Sequence, residues 1–307
     1  MTTNSQPSEP RDRGRWGLSL AALRRARIPI ATKLILGFLL VCLIVGVTFG
    51  VVGVQIIGGL VVAEAQEKVR TDLNAAREIF LNHLGRIGDK VRFVADRTFV
   101  RDGSFSRDRD KVAESLAAFR EREGLDVLGI TDASGVVVLR VTNARMAGDD
   151  QSGDALVGQV LKRREPVAAT CVVTGDQLRK ESAALAERAR FEFIPTPKAR
   201  PRPEREETSG LMLKAAAPIF DLQNRFVGVA YGGVLLNRNF EIVDKIKQTV
   251  FQGVKYQGED IGTATIFQDD LRISTNVQNA DSSRAVGTRI AEDVYHQVVR
   301  EGQQWIG

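Results

Sequence analysis

Three side chains that could bind a ligand stand in apolar, strand-like stretches of the chain. They are Arg140 at the end of VVVLR, Lys214 within LMLKAAAP and Tyr231 within GVAYGG. An inward guanidinium could hold a carboxylate through two parallel hydrogen bonds, and an ammonium would add a second positive charge. Small-molecule sites combine apolar walls with a few such polar groups. Because strand side chains alternate between faces, each of the three could instead point outward.

Nothing in the sequence indicates a catalytic or metal centre. Only two histidines occur, His83 and His296, and neither stands in the His-Glu pair typical of a phosphoacceptor. The glycines of GVAYGG lack the spacing and the Lys-Ser/Thr of a phosphate-binding loop. Asp149 and Asp150 could hold a cation, but a solvated polar loop is the simpler interpretation. We therefore expect no catalytic activity, no cofactor and no metal in this chain.

A run of thirty residues without a charge, 34–63, predicts a membrane anchor. As a helix it would extend about 45 Å, more than the roughly 30 Å hydrocarbon core of a bilayer. The preceding segment 1–33 carries seven basic and two acidic residues, and the remainder of the chain is balanced in charge. This asymmetry predicts a cytoplasmic N-terminus and an extracytoplasmic segment 64–307. The positive net charge of the chain comes from segment 1–33, in front of the membrane run. A nucleic-acid partner is therefore not expected.

The main alternative to an anchor is a cleaved signal peptide, because Ala63-Glu64-Ala65 matches a small-x-small cleavage pattern. Signal-peptide apolar cores usually span about 7–15 residues, half the length found here. We therefore predict a single-pass protein of the cell inner membrane. Cys42 lies in the membrane run and Cys171 stands alone outside it, so no disulfide is expected within the extracytoplasmic part.

Beyond the membrane run, residues 63–100 predict one long stalk helix, because apolar residues recur at three- and four-residue spacing. Such a helix either packs on its own domain or pairs with a second copy. The homodimer that we expect depends on the second alternative. The stripe consists of Val69, Leu73, Ala76, Phe80, Leu84, Ile87, Val91 and Val94.

The rest of the pattern predicts an α+β fold with an antiparallel sheet and helices packed on it. Strands are expected at 126–131, 136–141, 167–173, 211–219 and 225–235, and helices at 111–123, 154–162, 177–190 and 238–248. The proline- and charge-rich segment 194–209 predicts an exposed loop inside the domain. A second unit then begins with strands at 263–267 and 272–277 and a helix at 290–301. It reaches residue 307 with too few strands to close a sheet, so we expect a fragment of a longer protein.

Four segments resemble double Cache sensors, the extracytoplasmic input domains of bacterial histidine kinases and chemoreceptors. They are GVVVLRVTNARMAGDD (135–150), GLMLKAAAPIF (210–220), FVGVAYGGVLLNRNFEIVDKIK (226–247) and GTATIFQDDLRISTNV with AVGTRI (262–290). The resemblance implies a long helix that bears two PAS-like modules. It assigns the stalk and membrane-distal module to 64–247 and a truncated membrane-proximal module to 248–307.

The resemblance also implies a function, the sensing of a small extracytoplasmic molecule by the distal module of a membrane signal-transduction receptor. In Cache sensors that bind organic anions, an arginine at the position of Arg140, followed closely by His or Asn, often contacts the ligand. Here Thr142 and Asn143 follow, so the histidine variant is absent, and an organic anion and an amino acid both stay open as ligand classes. A membrane-anchored structural or adhesive surface protein and an extracytoplasmic hydrolase are the alternatives from other classes.

Overall fold

The structure is a computed structural model that describes residues 29–102, 109–251, 255–256, 259–260 and 262–305. The chain divides into two compact units, Met1–Lys68 and Val69–Gly307. Most of the predicted basic tail, 1–33, lies outside the described residues. The same holds for residues 103–108 of the short basic turn that the sequence predicts at 101–110, between the first two extracytoplasmic helices. The boundary predicted between residues 247 and 248 stays a prediction.

In the part of the chain that the structure describes, the first unit is the N-terminal part of helix α1 (Ile30–Ala95). Its segment Ile30–Ile56 is long and apolar enough to cross a membrane, and none of the residues in that apolar window is buried within the protein. The apolar helix predicted from the uncharged run is therefore present, and it begins four residues before the predicted start. Side chains at 57–63 lie outside the described residues.

The second unit alternates helices and strands after the end of α1. In chain order they are α2 (Thr98–Arg101), α3 (Arg109–Arg122), β1 (Val127–Asp132), β2 (Val137–Arg140), α4 (Ala155–Arg163), β3 (Val167–Val173), α5 (Gly175–Glu181), α6 (Ala183–Ala189), β4 (Phe191–Glu192), β5 (Glu206–Glu207), β6 (Gly210–Phe220), β7 (Phe226–Leu235), α7 (Glu241–Val250), β8 (Lys255–Tyr256), β9 (Glu259–Asp260), β10 (Thr265–Gln268), β11 (Leu271–Thr275) and α8 (Glu292–Tyr295), which a π-helical turn (His296–Arg300) follows.

Five of these strands form one antiparallel sheet in the order β2-β1-β7-β6-β3. The hairpins β1–β2 and β6–β7 are the two strand–turn–strand units that the sequence predicts. Tight turns join them, with Gly135 at φ 97° in the first and Asn224 at φ 60° in the second. The predicted α+β class with an antiparallel sheet is confirmed.

The sheet buries one face against α1 and α3 and the other against α4, α5 and α6. On the first face, Ile87, Val91 and Val94 of α1 are buried against sheet residues. The upper part of the predicted stalk stripe therefore packs on its own domain. Val69 and Leu73, lower on the same stripe, are exposed.

Two predicted helices differ from the structure. The helix predicted for 177–190 is broken at Ser182, whose extended backbone (φ −164°, ψ 138°) separates α5 from α6. The helix predicted for 290–301 is a short α8 that continues as a π-helical turn. Neither break carries a proline or glycine, so the sequence holds no local signal for it.

The loop predicted as exposed between 194 and 209 is also more ordered than expected. Strand β4, just before the predicted loop, pairs with β5 near the end of the loop, and Arg200 and Arg202 are partly buried against the turn between β10 and β11. That hairpin buries Leu271 and Ile273 in the same core as α1 and the first face of the sheet.

A row of charged side chains on the sheet face away from α1

The candidate site begins with a row of residues that lie side by side across four strands. Arg140 of β2 pairs with Gly129 of β1, Gly129 pairs with Tyr231 of β7, and Tyr231 pairs with Ala216 of β6. Gly129 is required here, because a Cβ at this position would stand 2.4 Å from the Tyr231 ring. The tyrosine ring therefore lies across β1, toward Arg140.

Arg140 is the centre of the site, and its side chain is only 1% exposed. Its Nη1 and Nη2 donate to Asp149 Oδ1 and Oδ2 at 2.9 and 3.2 Å. Its Nε donates to Glu181 Oε1 at 2.7 Å, and Nη1 also donates to the carbonyl oxygen of Met146. The guanidinium is thus held by two of the protein's own carboxylates in the way the sequence suggested for a ligand carboxylate.

Glu181, at the end of α5, joins the helix layer to the sheet. Its Oε1 accepts from Arg140 and from the Tyr231 hydroxyl at 3.4 Å, and its Oε2 accepts from Thr142 Oγ1 at 2.8 Å. Next to it, Asn143 Nδ2 donates to the carbonyl oxygen of Lys180 at 3.0 Å. The edge of the site at β2 is therefore fastened to α5 by two hydrogen bonds to the Glu181 carboxylate and one to the backbone carbonyl oxygen of Lys180.

Lys214 stands on the other side of Tyr231. Its Nζ donates to Asp154 Oδ2 and lies 5.7 Å from the centroid of the Tyr231 ring. Asp154 Oδ1 accepts from the backbone N–H groups of Leu156 and Val157, so the same carboxylate caps α4. Lys214 thereby ties β6 to the start of α4.

Between these groups lies a cavity of about 20 Å³. That volume holds about one water molecule, whereas small-molecule pockets have about 300–1,000 Å³. In this conformation the site is thus filled by its own side chains. The lining residues are Val127, Gln151, Asp154, Val173, Gln177, Leu178, Glu181, Met212, Lys214 and Tyr231.

The charges of the site stabilise one another. Burial raises the pKa of Asp149, but hydrogen bonds from Arg140, Gln151 and Lys180 outweigh burial and hold that pKa below its usual value. Burial, followed by the negative charge of Glu181, raises the pKa of Tyr231. Tyr231 is therefore a neutral hydroxyl that donates, and Asp149 an ionised acceptor, at neutral pH.

The structure brings three of the predicted binding residues, Arg140, Lys214 and Tyr231, to one face of the sheet, with Asn143 at its edge. Ligand contact by these residues stays a prediction. The partners Glu181 and Asp154 were not predicted as site residues, and Asp149 was considered only as a possible cation ligand. Asp154 carried a signal, because it precedes an apolar helical pattern as an N-cap does, whereas Glu181 looks like any charge on a helix surface.

The remaining polar candidates have partners of their own. Asp149 accepts from Arg140, Lys180 and Gln151, and Asp150 accepts from the backbone and side chain of Ser152. Among the described residues no group of three or more metal-binding side chains is found. Cys171 is partly buried on the same face of the sheet, and burial raises the pKa of its thiol.

Comparison with known proteins finds a family match in the C-terminal part of the chain. The family model for single Cache domain 3 matches residues 234–307, which extend from the end of β7 through the β10–β11 hairpin to the end of the chain. No curated protein sequence matches the chain significantly.

Several solved structures resemble the chain at low identity. The periplasmic domain of LuxQ from Vibrio cholerae is 15% identical, with 71% of this chain and 82% of that one covered and a TM-score of 0.44. The amino acid chemoreceptor PctC from Pseudomonas aeruginosa PAO1, solved with GABA, is 10% identical over 78% and 82%, with a TM-score of 0.36. An extracellular ligand-binding receptor from Desulfohalobium retbaense is 12% identical over 78% of this chain but only 34% of its own, with a TM-score of 0.37.

The predicted resemblance to Cache sensors is confirmed over residues 234–307, which match the model of a single Cache domain.

Proposed function

We propose that this chain is the input region of a two-component sensor kinase or a methyl-accepting chemoreceptor, which binds a small charged molecule at the Arg140–Glu181 cluster and signals across the cell inner membrane. One observation carries the proposal. Three cations (Arg140, Lys180 and Lys214) and three carboxylates (Asp149, Asp154 and Glu181) form ion pairs on one side of the sheet. Asp154, Glu181 and Lys214 of this set line one cavity. In this proposal the chain itself performs no catalysis.

The pairing defines which ligands could bind. A ligand carboxylate would replace Glu181 or Asp149 on Arg140, and a ligand ammonium would take a released carboxylate. Either exchange keeps the buried charges compensated, which an uncharged ligand would not do. An organic anion or an amino acid therefore fits the site, provided that α5 moves, because the cavity itself is too small.

Signalling would use α1. This helix contains both the candidate membrane span, Ile30–Ile56, and residues such as Val91 that pack on the sheet. A ligand shifts such an equilibrium only by its different affinities for the two conformations. In the proposed orientation the N-terminus is cytoplasmic and the sheet extracytoplasmic.

A homodimer belongs to the same proposal. Val69 and Leu73 of α1 are 58% and 50% exposed, although they continue the apolar stripe that is buried farther along the helix. A second copy of α1 would cover them, because two such stripes are complementary to each other.

A thermal-shift screen of the full chain in lipid nanodiscs would test ligand binding, with organic acids, amino acids and amines as probes. A ligand at 100 times its dissociation constant stabilises the folded state by about 2.7 kcal/mol. We expect one of these classes to raise the melting temperature. Lys214→Met should abolish the shift, and Arg225→Gln, which alters a charge that is 76% exposed in the β6–β7 turn, should keep it.

No shift with any probe, from a chain whose melting is cooperative, would contradict direct sensing. It would favour a membrane-anchored structural or adhesive protein or a sensor that detects its signal through a partner protein.

A further inference from the structure

Residues 175–209 form one continuous segment that contacts the candidate cavity at its first end and the β10–β11 hairpin at its second. We call it the coupling segment; it comprises α5, α6, β4, the proline-rich loop and β5.

At the first end, α5 closes the cavity. Gln177, Leu178 and Glu181 line it, and Leu178 is fully buried. Because the cavity holds about one water molecule, a ligand needs additional room, which a shift of α5 away from the sheet would supply.

In the middle, Arg238 fastens α6 to the hairpin. Its Nη1 donates to the carbonyl oxygens of Arg188 and Arg190 at 2.6 and 2.8 Å, at the end of α6. Its own backbone N–H donates to the carbonyl oxygen of Ile273 in β11 at 2.9 Å. One residue therefore contacts both the coupling segment and the hairpin.

At the second end, the coupling segment encloses a buried carboxylate. Asp270, in the β10–β11 turn, is fully buried and accepts from Arg200 Nε at 3.1 Å and from Arg202 Nη1 at 3.0 Å. Arg289 Nε adds a third donor at 2.9 Å. A buried carboxylate without its arginines is costly, so the loop and the hairpin hold each other in place.

Backbone hydrogen bonds reinforce this attachment. The N–H of Ile194 donates to Gly287 O at 3.0 Å, and the N–H of Glu292 donates to Lys198 O at 2.8 Å. The loop between β4 and β5 is stiff, because proline fixes the backbone φ angle and the loop contains Pro195, Pro197, Pro201 and Pro203.

We propose that the coupling segment is a regulatory device that links the opening of α5 over the cavity to the Asp270 cluster. Displacement of α5 loosens Arg200 and Arg202 on Asp270, and loss of the Asp270 carboxylate loosens α5, because coupling between two sites is reciprocal. The regulatory meaning rests on the proposed ligand site, but the coupling itself needs no ligand and is testable if that site fails.

Hydrogen–deuterium exchange of the full chain in nanodiscs, read out by mass spectrometry, tests the link. In Asp270→Asn we expect exchange in peptides of α5 to rise by about fivefold or more, the lower end of typical coupling between sites. In Glu181→Gln we expect the reciprocal rise in peptides covering 196–204 and 268–272. Helix α4 is the internal reference, because it covers the same face of the sheet without belonging to the coupling segment, and its exchange should stay unchanged.

The matched control is Asp244→Asn. Asp244 is also held by an arginine with two hydrogen bonds, from Arg284 at 2.8 and 2.9 Å, but it lies on α7, outside the coupling segment. The Asp244→Asn substitution should raise exchange near α7 and leave exchange in α5 unchanged. The proposal is overturned if Asp270→Asn raises exchange around residue 270 but not in α5, or if α4 and α5 rise together, which would indicate general loosening.

Discussion

The guanidinium of Arg140 and the carboxylate of Asp149 face each other in two parallel hydrogen bonds of 2.9 and 3.2 Å. Glu181 takes the remaining Nε donor, so every side of this buried cation is compensated by the protein itself. The sequence predicted an arginine whose guanidinium is available to bind a ligand carboxylate. The structure has an arginine that already holds two carboxylates, so ligand binding at this place is an exchange of partners.

Removing the cation should be more destabilising than removing either carboxylate. Arg140→Met leaves Asp149 and Glu181 without their common partner, and breaking a buried pair in this way costs about 3–5 kcal/mol. Glu181→Gln keeps the Arg140–Asp149 pair and should cost less. Urea unfolding of the full chain measures both, with the exposed Arg225→Met as the control that should change little. Equal losses for Arg140→Met and Glu181→Gln would contradict the central position of Arg140.

Acid should destabilise the fold through Asp149. Its folded-state pKa lies below its unfolded value of 3.8, so below that pH the unfolded chain binds more protons than the folded one. The stability contributed by the Asp149 pairing is therefore present above pH 3.8 and is lost as the pH falls from there through the folded pKa. Unfolding free energies measured between pH 7 and pH 2 should fall less steeply at the acid end in Asp149→Asn. If the unfolding free energy of that variant falls at acid pH as steeply as that of the parent chain, other carboxyl groups are responsible for the loss of stability.

The close approach of Tyr231 to Gly129 predicts a steric conflict. In Gly129→Ala the new Cβ would stand 2.4 Å from ring atoms of Tyr231, and such overpacking typically costs about 1–3 kcal/mol. Gly85→Ala is the control with the opposite sign, because a Cβ at Gly85 in α1 would have no neighbouring atom within 4 Å and alanine favours a helix by about 1 kcal/mol. Chemical denaturation measures the unfolding free energy of both single variants and of Gly129→Ala combined with Tyr231→Ala. The comparison separates the steric contact with the Tyr231 ring from the general effect of replacing glycine by alanine. Failure of the second substitution to relieve the first would place the strain elsewhere.

The sequence predicted the positions on the sheet better than the contacts between elements. The strands that carry Arg140, Lys214 and Tyr231 were predicted, and the pairing of β2, β1, β7 and β6 brings the three side chains to one face. Glu181 could not be found in this way, because its partner Arg140 is 41 residues away in the chain and the break at Ser182 that directs α5 has no local signal. Arg200 and Arg202, in the loop between β4 and β5, were predicted to be exposed for the same reason. Their burial depends on Asp270, which lies far along the chain.

The exposed stripe on α1 gives the last prediction. If a second copy covers Val69 and Leu73, the double substitution Val69→Ser and Leu73→Ser should shift the full chain in nanodiscs or detergent from dimer to monomer and leave its melting temperature nearly unchanged. Ile87→Ser is the matched contrast on the same helix, because Ile87 is 6% exposed in the core and a buried hydroxyl there should lower the melting temperature instead. Light scattering coupled to size exclusion gives the mass of the protein component, and cross-linking in the membrane gives the same comparison in lipid. A dimer that persists in the double variant would place the interface on another surface or within the membrane span, and a monomeric parent chain would contradict dimerisation through α1.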